Sequence, residues 1–232
     1  SGNRDRSADQ QCKQDKNDDR AAGRVRRLAV DGHGAAFCRV GKALYSPGRM
    51  PARDLSPLIA RLDRPIVLVG LMGAGKSTVG RRLAKRLALP FIDSDAAIED
   101  AAGLPAGEVF ERFGEVSFRD GERRLVARLI EGPVRVIATG GGAFIDDDTR
   151  RLLNDRAITV WLDAPVELLV ERTARRPGTR PMLNGGNRTE IMGRLDEVRR
   201  PSYAEAHIRV PSSDGSHGDV VEAIVQALRE HI

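Results

Sequence analysis

One stretch of the sequence has residue types and spacing that suit the binding of phosphate groups. Residues 65–78 read PIVLVGLMGAGKST and match the pattern GxxxxGK[ST], with a buried-strand pattern before it and a helical pattern after it. Glycines let successive backbone N–H groups turn toward phosphate oxygens, and the N-terminus of the following helix adds partial positive charge. Lys76 is placed to bring a full charge to the β- and γ-phosphates, and the Ser77 hydroxyl to ligate Mg²⁺. The stretch therefore predicts a nucleotide-binding loop.

Polar residues also follow two later strand patterns. Asp93 and Asp95 end the strand pattern after the loop helix, so one carboxylate could serve a metal and the other an acceptor hydroxyl. Either one could instead cap the next helix, because Asp is a preferred N-cap residue. Thr139 is followed directly by three glycines, residues 140–142. A plain turn needs one or two glycines, so this run indicates a close approach of the backbone to another group.

A basic segment lies later in the chain. Residues 176–187 read RPGTRPMLNGGN and are rich in arginine, glycine and proline. Such a segment predicts a mobile cationic lid, although charged runs are also common on ordinary solvated surfaces. A lid of this kind would close on phosphates and exclude water, which prevents hydrolysis of the nucleotide.

The remaining pattern predicts the elements that must position these residues. Helical patterns alternate with five strand patterns, at 66–69, 90–93, 134–138, 157–162 and 207–210. The helical patterns include a short one at 58–62, one after the phosphate loop with Val79, Leu83 and Leu87 on one face, and two that end at Phe113 and begin near Glu115. This alternation implies a parallel sheet covered on both faces, with ligands beyond the carboxyl ends of the strands. The rule places the phosphate loop, Asp93, Asp95, residues 140–142 and Asp163 along a single rim.

Composition limits the partners. The net charge is +5, but residues 1–60 carry 12 Lys/Arg against 7 Asp/Glu, and residues 61–232 carry 26 against 26. A basic excess confined to one end is weak evidence for nucleic acid, so we expect no nucleic-acid partner.

Both cysteines precede residue 61. The four histidines show no metal-ligand spacing, so we expect these histidines to be solvated or local. No apolar run reaches the length of a membrane span and no secretory signal is visible, so a cytoplasmic location without membrane contact is expected.

The N-terminal segment has a different character from the rest of the chain. Residues 1–27 are almost entirely polar and residues 28–49 are interrupted by glycines, so we expect residues 1–60 to be a disordered or dispensable extension. One hypothesis is that functional translation begins at Met50. The alternative is a basic transit or binding tail, which its aspartates fit poorly. Residues 61–232 are then the folded domain.

Taken together, the motifs make residues 61–232 similar to the shikimate kinase family, within the nucleoside-monophosphate-kinase-like group of phosphate-loop proteins. The matching stretches occur in the family's order and spacing: 70–78 (GLMGAGKST), 91–95 (FIDSD), 117–122 (SFRDGE), 139–143 (TGGGA), 180–183 (RPML) and 199–203 (RRPSY). The resemblance implies a three-layer α/β/α fold with a five-stranded parallel sheet in the order 2-3-1-4-5. It also implies ATP as co-substrate, Mg²⁺ as metal, shikimate as acceptor and a monomeric enzyme.

On the nucleotide side, the resemblance implies roles for nine matching positions. Ser77 would ligate Mg²⁺, with Asp93 in the metal's water shell. Arg180 would close with the lid onto the phosphates, and Arg172 would stack on the adenine near residues 211–218. The residues that would wrap the ATP phosphates are Gly73, Ala74, Gly75, Lys76, Ser77 and Thr78.

On the acceptor side, Asp95 would hold the shikimate hydroxyls and orient or deprotonate the 3-hydroxyl, with Lys76 as its catalytic partner on the phosphates. Arg119 and Arg199 would clamp the substrate carboxylate, for which a planar guanidinium is better suited than an ammonium. Gly141 would offer its backbone N–H to the substrate, and Glu122 would steady the arginines.

Other classes of protein remain as alternatives. A gluconate or nucleotide kinase shares the phosphate loop, and the arginines with Asp95 favour a carboxylated polyol without excluding gluconate. A nucleotide-driven switch that reads guanine would carry an NKxD stretch, and the sequence has none. A non-catalytic nucleotide-binding module is disfavoured because every expected site position is present.

Overall fold

The computed structural model describes residues 54–175, 186–212 and 215–232. Within these ranges, five strands form one parallel sheet, with the order β2-β3-β1-β4-β5. The strands are β1 (Ile66–Val69), β2 (Phe91–Asp93), β3 (Val136–Ala138), β4 (Ile158–Asp163) and β5 (Ile208–Pro211). The parallel sheet and the predicted strand order are therefore confirmed.

Helices pack around the sheet and give the predicted α/β arrangement. They are α1 (Ser56–Arg61), α2 (Lys76–Leu87), α3 (Ser94–Ala102), α4 (Ala106–Ile130), α5 (Asp147–Arg156), α6 (Val166–Ala174), α7 (Arg188–Tyr203) and α8 (His217–His231), with a 3-10 turn at Ala143–Ile145. Their positions agree with the predicted helical patterns, although some ends are shifted. Of the segment 176–187, predicted as a lid, residues 176–185 lie outside the described residues, and Asn187 is the N-cap of α7.

The central strand shows why this sequence forms a buried parallel sheet. All four residues of β1 are completely buried, as a strand covered on both faces requires. On α2, Val79, Leu83 and Leu87 form the predicted apolar stripe and are also fully buried. Only residues 70–75 connect β1 to α2. Because both elements are buried, this short loop is fixed at the centre of the sheet.

The packed fold begins before residue 61, the predicted start of the folded domain. Leu55, Leu58 and Leu62 are buried in the main core, and α1 carries Leu58. A short helix was predicted here, but residues up to 60 were assigned to the extension. The packed fold therefore includes residues 55–60. Residues 1–53 of the predicted extension, which include Met50, lie outside the described residues.

Helix α4 contains a break at Gly114, where φ is 76° and ψ is 169°. These angles are readily accessible only to glycine. The two predicted helical patterns, ending at Phe113 and beginning near Glu115, lie on either side of this residue.

No helix among the described residues is long and apolar enough to cross a membrane.

A hydrogen-bonded cluster at the amino ends of β4 and β5 joins the two strands. The backbone N–H of Thr159 donates to His207 Nδ1 (3.1 Å), and the backbone N–H of His207 donates to Thr159 Oγ1 (3.0 Å). Because His207 Nδ1 accepts, this bond requires an unprotonated nitrogen. Burial lowers the pKa of His207, and the neighbouring charges of His231 and Arg64 lower it further.

His207 should make the protein less stable in mild acid. Its pKa is lower in the folded state than the unfolded value of about 6.5, so the folded state binds this proton less readily. The stability that neutral His207 provides is present above the unfolded pKa and is lost as the pH falls below it. Thermal unfolding from pH 8 to 5 should show a smaller decrease in Tm for His207→Gln than for the wild type. Equal decreases in the two proteins would contradict this assignment.

Candidate active site

The loop between β1 and α2 has the backbone conformation of a phosphate-binding loop. Gly73 and Gly75 have φ values of 86° and 93°, in the left-handed region that favours glycine, and Gly75 is the N-cap of α2. The buried Lys76 ammonium donates to the carbonyl oxygens of Gly70 (2.7 Å) and Leu71 (3.0 Å), which ties it to the loop. Ser77 and Thr78 lie exposed in the first turn of α2, where a phosphate and its metal can reach them.

Two carboxylates lie close to the backbone of Gly140, the first glycine after β3. A Cβ atom built at Gly140 would lie 2.6 Å from Asp95 Oδ1 and 2.9 Å from Glu122 Oε1. The backbone N–H of Gly140 donates to Ser94 Oγ (3.1 Å), a side chain at the start of α3 that is fully buried. A side chain at position 140 would therefore displace the site's own carboxylates.

An arginine approaches the third glycine in the same way. A Cβ atom at Gly142 would lie 2.5 Å from Arg119 Nη1, and that nitrogen donates to Glu122 Oε2 (2.7 Å). Burial raises the pKa of Glu122; Arg119 opposes this shift, while the negative charges of Asp95 and Asp146 add to it. The ion pair therefore fixes the direction of Arg119 within a cluster of carboxylates.

Gly141, the middle glycine, lies between the phosphate loop and Arg199. A Cβ atom at Gly141 would lie 3.5 Å from the backbone nitrogen of Met72 and 3.7 Å from the carbonyl oxygen of Gly70, both in the phosphate loop. The Gly141 carbonyl accepts hydrogen bonds from Arg199 Nη1 (3.2 Å) and from the Tyr203 hydroxyl (2.5 Å). Arg199, itself buried, is thus held beside the phosphate loop.

Asp93 caps helix α3, because its Oδ1 accepts from the backbone N–H of Asp95 (3.2 Å). The capping interpretation therefore applies to Asp93. A carboxylate has two oxygens and several acceptor positions, so capping leaves a role toward a metal possible. Among the described residues, no group of three or more His, Cys, Asp or Glu side chains forms a metal cage.

On the other side of the phosphate loop, Arg172 and Ser212 form a bridge. Arg172 Nη1 donates to Ser212 Oγ (3.2 Å), and that hydroxyl donates to the carbonyl oxygen of Ala74 (3.2 Å). His217, at the start of α8, has ring atoms 3.9 Å from where a Cβ atom at Gly75 would lie. Burial, with the charges of Arg82 and Arg172, lowers the pKa of His217. This histidine lies beside the phosphate loop and is half-buried, which corresponds to the local of the two roles expected for the histidines.

Asp163 lies at the end of β4 but forms a separate structural cluster. Its Oδ1 accepts from Arg200 Nη2 (3.0 Å) and its Oδ2 from Arg209 Nε (2.9 Å). Both guanidinium groups lie over the ring of Trp161, at 5.2 and 4.9 Å from its centroid. Asp163 therefore joins β4, β5 and α7, a role that its position on the predicted rim did not suggest.

The structure brings most of the candidate residues together, and it adds others. Asp95, Arg119 and Arg199 surround residues 140–142, and these glycines adjoin the phosphate loop. Arg180 lies outside the described residues. Sequence reasoning missed Ser94, Tyr203 and Ser212 as contributors to the site. Ser94 and Tyr203 lie within the motifs at 91–95 and 199–203, so the sequence could have drawn attention to them. It gave no indication of the groups that they contact.

The sheet order, the phosphate loop and the carboxylate–arginine cluster beside it define a nucleotide-binding phosphate-loop protein with a second, polar half-site. A family model described as shikimate kinase matches residues 72–229. The chain belongs to the shikimate kinase family.

Individual relatives agree with this family. The chain is 51% identical over 177 residues to a shikimate kinase of Caulobacter vibrioides, covering 76% of this chain and 86% of that protein. It is 53% identical over 177 residues to a shikimate kinase of Paramagnetospirillum magneticum, covering 76% and 88%. The solved structure of shikimate kinase from Acinetobacter baumannii in complex with shikimate matches with a TM-score of 0.70 at 38% identity, covering 78% of this chain and 98% of that one.

Proposed function

We propose that this protein transfers the γ-phosphate of ATP to the 3-hydroxyl of shikimate and releases ADP and shikimate 3-phosphate. The observation that carries the proposal is the position of Gly141. It lies against the phosphate loop at Met72 and Gly70, and its carbonyl holds Arg199. A carboxylated acceptor bound by this arginine would thus lie beside the nucleotide phosphates.

The acceptor half-site supplies orientation. Arg199 and Arg119 would bind the shikimate carboxylate, because a guanidinium can donate two parallel hydrogen bonds to it. Glu122 holds Arg119 by an ion pair at 2.7 Å, which limits its rotation. Asp95 would accept a hydrogen bond from the 3-hydroxyl and take its proton as the oxygen attacks phosphorus. Phosphoryl transfer depends mainly on such positioning and on charge stabilisation.

The donor half-site supplies positive charge. The N–H groups of residues 73–78 and the N-terminus of α2 would surround the phosphates, with Lys76 stabilising the charge that develops on them. Arg172, held by Ser212, would stack on the adenine. Arg180 would add a second positive charge from the proposed lid.

The residues present fit a magnesium ion. Mg²⁺ usually keeps several water molecules and uses one or two protein oxygens together with substrate phosphates. The exposed Ser77 hydroxyl would ligate it and Asp93 would lie in its water shell, and neither role needs a preformed cage of carboxylates. The ion would neutralise phosphate charge during transfer.

The remaining expectations belong to the same proposal. The enzyme would act as a cytoplasmic monomer, without a nucleic-acid or membrane partner. Residues before Met50 would not be needed for transfer, while α1 belongs to the packed fold.

An ADP-release assay with a panel of acceptors tests the function. Shikimate should give ATP- and Mg²⁺-dependent turnover. Nucleoside monophosphates should give little, because they carry no carboxylate for the two arginines. Turnover with gluconate but not with shikimate would instead support the gluconate kinase alternative. Shikimate 3-phosphate should be identified among the products. A protein that binds ATP but shows no shikimate-dependent turnover would defeat the proposal.

A further inference from the structure

Tyr203 is a buried side chain for which the mechanism above has no use. It is the last residue of α7 and is 1% exposed. Its ring stacks with two aromatic rings, at centroid distances of 6.5 Å to Phe144 and 6.1 Å to Trp161. Packing of the ring would be served equally well by phenylalanine. The hydroxyl group therefore needs a separate explanation.

The hydroxyl shares an acceptor with the proposed substrate-binding arginine. Tyr203 Oη donates to the carbonyl oxygen of Gly141 at 2.5 Å, and Arg199 Nη1 donates to the same oxygen at 3.2 Å. The two residues are four positions apart on α7, so they lie on the same face of the helix. One carbonyl is thus held by two donors from one helix.

Neighbouring contacts fix the rest of this glycine segment. The N–H of Gly140 donates to Ser94 Oγ (3.1 Å), and the carbonyl of Gly140 accepts from the N–H of Ala143 (3.3 Å). In a trans peptide the N–H points away from the carbonyl, so the Gly141 N–H is directed away from the turn at Ala143. The hydroxyl of Tyr203 holds the next peptide, which carries the Gly141 carbonyl. The direction of the Gly141 N–H and the position of Arg199 therefore depend on the same short segment.

We propose that Tyr203 is a positioning residue for the acceptor carboxylate, and that it acts by holding the Gly141 carbonyl to which Arg199 is bound. This inference rests on the proposed function and deepens its acceptor site. Without the hydroxyl, the Gly141 peptide and the Arg199 guanidinium would lose a common anchor. Burial raises the pKa of Tyr203 to about 12, so the hydroxyl remains a donor at neutral pH.

The test is Tyr203→Phe, which removes only the hydroxyl and keeps the stacked ring. We expect the KM for shikimate to rise about 3- to 10-fold, because one hydrogen bond that positions its binding group is lost. The kcat and the KM for ATP should stay nearly unchanged. Calorimetric titration with shikimate should show the same loss of affinity. An unchanged KM and unchanged affinity would overturn the proposal.

A matched control separates positioning from packing. Thr159→Val also deletes a buried hydroxyl, one that donates to Asn154 (2.8 Å) at the opposite ends of the strands. It should leave the KM for shikimate unchanged. If Tyr203→Phe raises the KM for ATP and for shikimate equally, with a lower Tm, the hydroxyl is only structural and the proposal fails.

Two further measurements identify the group through which Tyr203 acts. With a shikimate analogue whose carboxylate is reduced to a hydroxymethyl group, wild type and Tyr203→Phe should have equal affinities. In an Arg199→Lys background, Tyr203→Phe should have a smaller effect than in the wild type, because the two residues share one acceptor. Full additivity of the two substitutions would contradict this route. Absence of shikimate turnover in the wild type would instead refute the proposed function.

Discussion

Asp95→Asn should lower turnover with shikimate by about 10²- to 10⁴-fold, the usual contribution of a positioned acid or base. The amide has nearly the shape of the carboxylate but cannot accept the proton of the attacking hydroxyl. Asp95 lies against Gly140 on the acceptor side of the rim, whereas the nucleotide loop is formed by residues 70–78. Affinity for ATP should therefore remain almost unchanged.

Two measurements test this result: steady-state kinetics with shikimate, and calorimetric binding of a non-hydrolysable ATP analogue with Mg²⁺. Asp155→Asn is a suitable control, because Asp155 is an exposed carboxylate on α5, and it should behave as the wild type. If Asp95→Asn loses nucleotide binding instead, Asp95 belongs to the metal site and the division of roles between Asp93 and Asp95 must be reversed.

The parts of the fold that were predicted well depend on local sequence. The loop at 65–78 is recognisable because strand, glycines, lysine and helix are contiguous, so each residue's neighbours in the chain are also its neighbours in space. The five strand patterns are likewise local, and the carboxyl ends of parallel strands share one edge. For this reason Asp95 and residues 140–142 could be placed together before any coordinate was known.

The partners of individual side chains could not be predicted in this way. The three glycines at 140–142 indicated a close approach, but the sequence did not show that Asp95, Glu122 and Arg119 are the groups that approach them. Asp163 has the same position after a strand as Asp93, yet Arg200 and Arg209 bind it in a separate cluster.

Long-range pairing decides these cases. Ser212 contacts Ala74 across 138 positions of the chain, and Tyr203 contacts Gly141 across 62. Such contacts depend on how helices pack against the sheet, and a single sequence carries little information about that packing. The chemistry of the rim was therefore predictable from residue types, whereas the contacts that hold its residues in place required the structure.

Gly140→Ala should reduce kcat/KM for shikimate by about 10²-fold, the effect expected when reacting groups are displaced by about 1 Å. The added methyl group would lie 2.6 Å from Asp95 Oδ1 and 2.9 Å from Glu122 Oε1, closer than carbon and oxygen can approach. Both contacts are with ends of side chains, so the carboxylates would move while the backbone stays in place. The fold and the binding of ATP should be largely preserved.

Gly193→Ala provides the matched control for this substitution. Gly193 lies within α7, and a Cβ atom there would have no described atom within 4 Å. Alanine at that position should leave activity unchanged and stabilise the protein by roughly 0.5–1 kcal/mol, because glycine is unfavourable inside a helix. Kinetics, ATP binding and thermal unfolding of both variants form the test. If Gly140→Ala keeps wild-type kcat/KM, the Asp95 and Glu122 carboxylates tolerate displacement, and Asp95 does not act as a closely positioned base.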